Sequence, residues 1–214
     1  MSWTAGIHFK VLRGVVVVAL LAVQFSCSLL PKVTSQSPDN WLQTVAQRQQ
    51  LSSWKLTGRL GMQTKINGGS LDLFWKQEND AYKIRLIAAM GQGTILIQGD
   101  AHGVMLRTNE GASYADNADE LLASSLGVSV PLAGLHDWLR GVPTADRPVQ
   151  KQLWDEQGQL YKLVQNGWNI EMSDYKKVGK HVLPHAFYLD RDDQPELEIR
   201  LMIRQWTLLD KIVS

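Results

Sequence analysis

The chain has 214 residues, with 22 Lys and Arg against 21 Asp and Glu, so its formal net charge is +1. This near balance argues against a nucleic-acid-binding protein, which needs a clear excess of basic residues. A single cysteine excludes a disulfide within the chain, so the 44% of hydrophobic residues must stabilise the fold through a core.

The first predicted element is a bacterial secretory signal. Lys10 and Arg13 precede an apolar stretch of about 10 residues that ends shortly before Ser26 and Cys27, an order typical of such signals. The stretch is too short for a bilayer span, which needs about 20 residues. A cysteine at the cleavage junction resembles a lipobox, in which the thiol is lipidated and becomes the first mature residue. We therefore predict lipidation at Cys27.

Gln24 and Phe25 depart from the usual lipobox, which carries leucine three residues before the cysteine. Ordinary signal cleavage that leaves a free thiol, and an uncleaved N-terminal anchor, are the alternatives. A free thiol is a liability in an exported protein, so lipidation is the preferred interpretation. Ser28 in place of aspartate as the second mature residue then indicates the outer membrane of a Gram-negative cell.

The chain after the signal peptide, residues 1–26, is predicted to hold one domain. Its 188 residues carry 20 basic and 21 acidic side chains, a net charge of −1. Residues 27–39 are mostly polar with two prolines, and we interpret them as the lipidated N-terminus and a flexible tether. Residues 40–214 form the predicted domain.

Two periodicities organise this domain. From Trp54 onward, apolar residues alternate with polar ones over many short runs, which predicts about 11 strands. Asn67-Gly68-Gly69 and Asn166-Gly167 predict hairpin turns. Helices are predicted at residues 41–50, with Leu42 on the same face as Trp41, at residues 116–126, capped by Asp116, and at residues 132–139. A highly curved antiparallel sheet with helices over one opening would bury its single apolar face.

Motifs for common enzyme chemistry are absent from the sequence. There is no phosphate-binding GxxxxGK[ST] loop, no complete dinucleotide fingerprint, no GxSxG elbow and no HExxH helix. His181 and His185 are four residues apart, but Pro184 between them argues against a shared helix and hence against a metal site. We therefore expect no catalytic residues, no metal and no cofactor.

Seven segments spread over the mature chain carry a family resemblance. They are residues 54–61 (WKLTGRLG), 72–76 (DLFWK), 88–91 (AAMG), 114–121 (YADNADEL), 130–132 (VPL), 135–143 (LHDWLRGVP) and 165–168 (QNGW). In this order they resemble the LolB family of lipoprotein localisation factors. The resemblance implies a mainly β protein with some α, built as an incomplete antiparallel β-barrel with a helical lid around an apolar cavity.

The resemblance also implies a function and partners. Members of the family accept lipoproteins from the periplasmic carrier LolA, hold their acyl chains in the cavity and insert them into outer-membrane lipid without ATP. We therefore expect a monomer that binds no nucleic acid and is anchored through Cys27 on the periplasmic face of the outer membrane. A related lipoprotein that binds other lipids, and a hydrolase with an unrecognised Ser, His and Asp set, are the alternatives.

The resemblance assigns roles to particular residues. Met90, flanked by Ala89 and Gly91, matches a loop whose protruding apolar residue delivers cargo into the membrane; its alternative is a methionine folded onto the core. Arg59 lies on the polar strand face and either pairs with a carboxylate or is solvated. The cavity is predicted to be lined by side chains that otherwise serve as plain core: Trp41, Leu73, Trp75, Ile84, Leu86, Ile97, Trp138, Trp168, Ile199, Leu201 and Trp206.

Overall fold

The structure is a computed structural model, and it describes residues 31–65, 68–88, 93–126 and 131–209, without the side chain of Ala133. The chain divides into two compact units, Met1–Lys32 and Val33–Ser214. Of the first unit only residues 31 and 32 are described. Among the described residues, the buried apolar core runs from Trp41 to Trp206 and belongs to the second unit. The lipidation site predicted at Cys27 and the loop predicted at Ala89, Met90 and Gly91 lie outside the described residues.

Within the described ranges there are three helices and 14 strands. The helices are α1 (Trp41–Gln49), α2 (Ala118–Leu126) and α3 (Leu132–Leu139). The strands are β1 (Val33–Thr34), β2 (Ser53–Gln63), β3 (Gly68–Glu78), β4 (Ala81–Ala88), β5 (Thr94–Asp100), β6 (Gly103–Thr108), β7 (Gly111–Ala115), β8 (Val149–Asp155), β9 (Leu160–Gln165), β10 (Trp168–Ser173), β11 (Lys176–Val178), β12 (His181–Leu183), β13 (Ala186–Arg191) and β14 (Gln194–Leu208).

Twelve strands form one antiparallel sheet in the order β1-β8-β9-β10-β13-β14-β2-β3-β4-β5-β6-β7, and β11 pairs only with β12. The longest strand, β14, joins the two halves of the sheet by pairing with β13 on one side and β2 on the other. The sheet is curled but open, because within the described ranges its edge strands β1 and β7 each pair on one side only. The predicted incomplete, strongly curved antiparallel sheet with a few helices is confirmed.

Alternation along the strands places the apolar side chains on one face of the sheet, here called the inner face. Cross-strand register keeps that face continuous: Leu56 lies opposite Trp75, Trp75 opposite Ile84, and Ile84 opposite Ile97. All four side chains are buried. Because strand side chains point to opposite faces in turn, this register fixes which residues form the core.

Local exceptions to strand geometry have clear causes. A β-bulge between Ile203 and Gln205 shifts the register of β14, so that Trp206 rather than Gln205 faces inward. Beside the bulge, a Cβ added to Gly58 would lie 2.5 Å from the carbonyl oxygen of Met202, so only glycine allows this close approach. Asn166 and Gly167 have φ values of 54° and 76° and make the predicted hairpin turn.

The helices differ from the predictions in detail. Helix α2 begins at Ala118, and its cap is Asn117, whose Oδ1 accepts the backbone N–H groups of Asp119 and Glu120 at 2.8 and 3.2 Å. The predicted cap, Asp116, lies one residue too early. In α1, Leu42 is 82% exposed, so the prediction that it shares the buried face of Trp41 is wrong.

Val33–Thr34, within the predicted tether, pairs with β8, where Val33 lies opposite Asp155 and Thr34 opposite Trp154. Across the described stretches, every helix is too short or too polar to cross a membrane.

Candidate functional site

The candidate site is the inner face of the sheet together with helices α1 and α3. Every residue predicted to line a cavity is buried, with exposed fractions between 1% (Trp138, Trp168) and 8% (Leu86). All of them belong to one contiguous apolar cluster. The structure therefore brings the predicted set together, as side chains that pack against one another in one core.

Trp54 lies at the centre of this cluster, although it is absent from the predicted lining set. Its ring centroid is 5.0 Å from that of Trp206, 5.5 Å from that of Trp75 and 6.0 Å from that of His136 on α3. It is fully buried. Its alternation with Leu56 at the start of β2 is the sequence signal that places it on the inner face.

A second aromatic pair connects helix α3 to strand β10. The rings of Trp138 on α3 and Trp168 on β10 are 6.3 Å apart. Trp138 Nε1 donates a hydrogen bond to Gln165 Oε1 at 3.0 Å, and Gln165 Nε2 donates to the carbonyl oxygens of Thr144 and Arg147 at 2.8 and 2.9 Å. Buried Gln165 thereby fixes both α3 and the segment that follows it.

Helix α1 contacts the sheet through Trp41, whose ring meets that of Trp154 edge-on at 5.6 Å. Arg48, near its C-terminus, is buried and donates to the carbonyl oxygens of Gly141 and Val182 at 3.0 and 2.6 Å, and to Gln159 Oε1 at 2.5 Å. Burial lowers the pKa of the Arg48 guanidinium. Its hydrogen bonds to carbonyl oxygens compensate for that loss of solvation.

Arg140 makes the reciprocal contact from the end of α3. Its Nη1 donates to the carbonyl oxygens of Arg48, Gln49 and Leu51 at 3.2, 2.9 and 3.2 Å, and its Nη2 contacts Asp137. These carbonyls would otherwise be unsatisfied at the C-terminus of α1. Burial lowers the pKa of Arg140, and Asp137 opposes that shift. The two arginines therefore join the C-termini of α1 and α3, and we call this pair the arginine clamp.

Backbone geometry supports the clamp. Helix α3 ends in a Schellman motif, in which Gly141 N–H donates to the carbonyl of Trp138 at 2.8 Å and Val142 N–H to that of Asp137 at 3.3 Å. Gly141 has a φ of 73°, which this motif requires and which favours glycine. The turn presents the Gly141 carbonyl to Arg48. Sequence reasoning missed the clamp, although a Leu-Arg-Gly run at a helix end is a recognisable stop signal.

Several buried polar atoms of the interior have no hydrogen-bond partner within the described residues. They include the indole N–H groups of Trp54, Trp154 and Trp168, and Nε2 of His136. By contrast, Trp75 Nε1 donates to Gln77 Oε1 at 3.0 Å and Trp206 Nε1 to the carbonyl of Pro184 at 3.3 Å. Unpaired donors are uncommon in protein interiors, so this region has unused hydrogen-bonding capacity.

Open pockets lie on the opposite, outer face of the sheet. One of about 730 Å³ spans β3 to β7, and one of about 220 Å³ lies over β2 to β4. In the described residues, no group of three or more His, Cys, Asp or Glu side chains is placed to hold a metal ion.

The family model described as "Outer membrane lipoprotein LolB" matches residues 52–206, most of the chain. The chain belongs to the LolB family. One relative, the outer-membrane lipoprotein LolB of Nitrosococcus oceani, is 34% identical over 179 residues, which cover 83% of this chain and 88% of the relative. That of Chromohalobacter salexigens is 32% identical over 202 residues, covering 94% and 91%.

Among solved structures, a putative outer membrane lipoprotein-sorting protein domain from Vibrio parahaemolyticus has the same fold. Its TM-score is 0.52 at 10% identity, with 81% of this chain and 94% of that chain covered. LolB-family membership supports a role in outer-membrane lipoprotein localisation, and the family is not one of known enzymes.

Proposed function

We propose that this protein accepts lipoproteins from the periplasmic carrier LolA, binds their acyl chains against its inner face and inserts them into the outer membrane without ATP. The single observation that carries the proposal is the continuous apolar inner face beneath two helices. No nucleotide is needed if the inner face binds acyl chains more tightly than the carrier does, because a difference in affinity alone gives direction.

The energetic demand on such a receptor is large. Each buried methylene contributes about 0.8 kcal/mol, so a 16-carbon chain resists exposure to water by about 12 kcal/mol. Leucine, isoleucine and tryptophan side chains that pack against one another in the closed conformation would exchange these contacts for contacts with the chain. Little net apolar surface would then meet water during transfer.

The arginine clamp would couple the two helices during acyl entry. Because Arg48 and Arg140 join the C-termini of α1 and α3, the helices would move as one unit. That movement would break the hydrogen bonds of Arg48 to Gln159 and Val182 and the bond of Trp138 to Gln165. The indole N–H groups of Trp54 and Trp168 would donate to the ester or amide carbonyls of the acylated cysteine of the cargo.

Delivery and attachment complete the proposal. Cys27 would carry the lipid anchor that holds the protein on the periplasmic face of the outer membrane. Met90, with Ala89 and Gly91, would enter the lipid and guide cargo into it. Met90→Glu should preserve cargo acceptance and abolish insertion; normal delivery of cargo by that variant would remove Met90 from the mechanism.

Site-specific photocrosslinking in cells tests acyl binding. Trp75 and Phe74 are neighbours on β3, and Trp75 faces the inner side while Phe74 faces the outer side. A photoreactive phenylalanine at position 75 should crosslink to lipoprotein cargo, and the same group at position 74 should not. Equal cargo crosslinking from both positions, or none from position 75 during active transfer, would refute binding at the inner face.

A further inference from the structure

The outer face of β2 to β4 carries an unusual alignment of cations. Lys55 lies directly opposite Lys76, and Lys76 lies directly opposite Lys83, so that three lysines cross three adjacent strands in one row. Side chains in such positions have Cβ atoms about 5 Å apart, and like charges placed there destabilise a sheet. This alignment therefore destabilises the sheet, so the stability of the fold does not explain why three lysines lie in one row.

Few acidic side chains neutralise this row. Lys76 pairs with Glu78 at 2.5 Å, whereas Lys55 and Lys83 have no ion pair within the described part of the chain, and both are exposed. In the next row, Arg85 lies over the ring of Phe74, with 4.6 Å between the guanidinium carbon and the ring centroid. Four cationic side chains, those of the three lysines and Arg85, thus lie close together on the outer face of β2 to β4.

These cations surround the pocket of about 220 Å³. Its lining is Lys55, Leu56, Thr57, Phe74, Trp75, Lys76, Lys83 and Arg85, with no carboxylate. The Thr57 hydroxyl adds a neutral donor. The adjacent pocket of about 730 Å³ shares Lys76 and Lys83 but also includes Glu78, Asp100 and Asp116, so it is less suited to an anion. A pocket of this size and charge fits a phosphate group.

We infer that this pocket binds the phosphate of an anionic phospholipid and so holds the outer face of β2 to β4 against the membrane. Partly exposed apolar side chains surround the cations: Phe74 and Leu96 lie beside Arg85 on adjacent strands, and Met105 lies two strands from Lys83. Basic and apolar side chains together match the interface of an anionic bilayer. An acidic protein surface would use the charges but not the partly exposed apolar side chains around them.

The position of the pocket in the fold is compatible with a membrane contact. Arg85 precedes Ala88, the last described residue before the loop with Met90, by three residues, or about 10 Å along β4. The pocket would thus lie on the strand that precedes Met90 in the sequence. This inference does not depend on acyl transfer, because the pocket lies on the opposite side of the sheet from the inner face.

Vesicle co-sedimentation tests the inference. The chain from residue 33 onward contains the apolar core of the described residues and lacks Cys27, whose proposed lipid would otherwise dominate partitioning. Vesicles contain phosphatidylcholine alone or with phosphatidylglycerol as a quarter of the lipid. Lys55→Gln together with Lys83→Gln should weaken binding to the anionic vesicles about 5-fold per lysine, or roughly 25-fold. Lys55→Arg with Lys83→Arg should retain it.

A matched pair controls for net charge. Lys151→Gln with Lys177→Gln removes two exposed lysines elsewhere and should change binding less than 3-fold, that is, by under about 0.6 kcal/mol. An equal loss in both pairs would overturn the inference, as would wild-type binding that ignores phosphatidylglycerol. Loss of LolA binding in the Lys55 and Lys83 variant, with vesicle binding unchanged, would assign the surface to a protein partner and also overturn it.

Discussion

The inner and outer faces of β2 to β4 are formed by alternate residues of the same strands, yet different physical requirements decide their composition. On the inner face, Leu56, Trp75 and Ile84 lie opposite one another and are buried. On the outer face, Lys76 lies between Lys55 and Lys83 in the same register. The inner row stabilises the fold by burial, and the outer row opposes it. The two proposals thus assign the faces different roles: the inner face would serve stability and cargo together, whereas the outer row would serve binding at a cost in stability.

The largest effect is expected at the arginine clamp. Arg140→Ala leaves three carbonyl oxygens and Asp137 without their buried partner, so the free energy of unfolding should fall by about 4 kcal/mol in urea titrations. Arg204→Ala, which removes an exposed arginine 3.0 Å from Asp72 on the outer side, should cost less than about 1 kcal/mol. Similar losses in both variants would show that the clamp is not a buried structural contact.

A core substitution on the inner face should come next. Ile84→Ala removes a 3% exposed side chain packed between β3 and β5 and should cost about 3 kcal/mol. Arg85→Ala, one residue further and on the outer face, should cost about 0.5 kcal/mol through the lost contact with Phe74. Chemical denaturation measures both. If Ile84→Ala is tolerated as well as Arg85→Ala, the inner face is loosely packed and the two faces do not differ in this respect.

A smaller effect is expected from pH. Burial, reinforced by Lys180 and Arg48, lowers the pKa of His181 in the folded state. The unfolded chain therefore takes up this proton first as the pH falls below about 6.5, and stability decreases from there by at most about 1.4 kcal/mol per pH unit. Unfolding titrations between about pH 7.5 and 5 should show a shallower pH slope for His181→Gln than for the wild type. An identical slope would remove His181 from the pH response.

The smallest effect has the opposite sign. Lys83→Gln relieves repulsion with Lys76 directly opposite and should raise the free energy of unfolding by about 0.3 kcal/mol at low salt. High salt should abolish the gain, because it screens exposed charges. Thermal unfolding at two ionic strengths measures it. Destabilisation at low salt would mean that Lys83 contributes to folding rather than only to binding.

Alternation was sufficient to predict much of this fold. The strand faces of β2 to β4, the Asn166-Gly167 turn and the bounds of α3 all follow from local pattern. Arg59 does pair with a carboxylate, 3.4 Å from Asp72, which settles the two alternatives left by the sequence. Local pattern does not reveal where the two-residue alternation of a strand is interrupted. The β-bulge after Ile203 is such an interruption. Strict alternation there would have placed Gln205 inside.

The contacts of helices α1 and α3 were harder to predict, because they join distant parts of the chain. Arg48 reaches Gly141 and Val182, and no local pattern around α1 reveals those partners. The prediction grouped Leu42 with Trp41, but consecutive residues of an α-helix lie about 100° apart around its axis, and Leu42 points away from the one side that α1 buries. Tertiary contacts thus decided which of the residues near Trp41 became core.

Fluorescence quenching by brominated acyl chains tests the central claim most directly. LolA loaded with a lipoprotein whose acyl chains carry bromine would be mixed with the full-length protein, after Trp residues of LolA are replaced by Phe. The account predicts quenching of the Trp54, Trp75 and Trp206 cluster as the chains reach the inner face, and loss of that quenching once cargo enters lipid. Complete transfer of cargo with no quenching would contradict it.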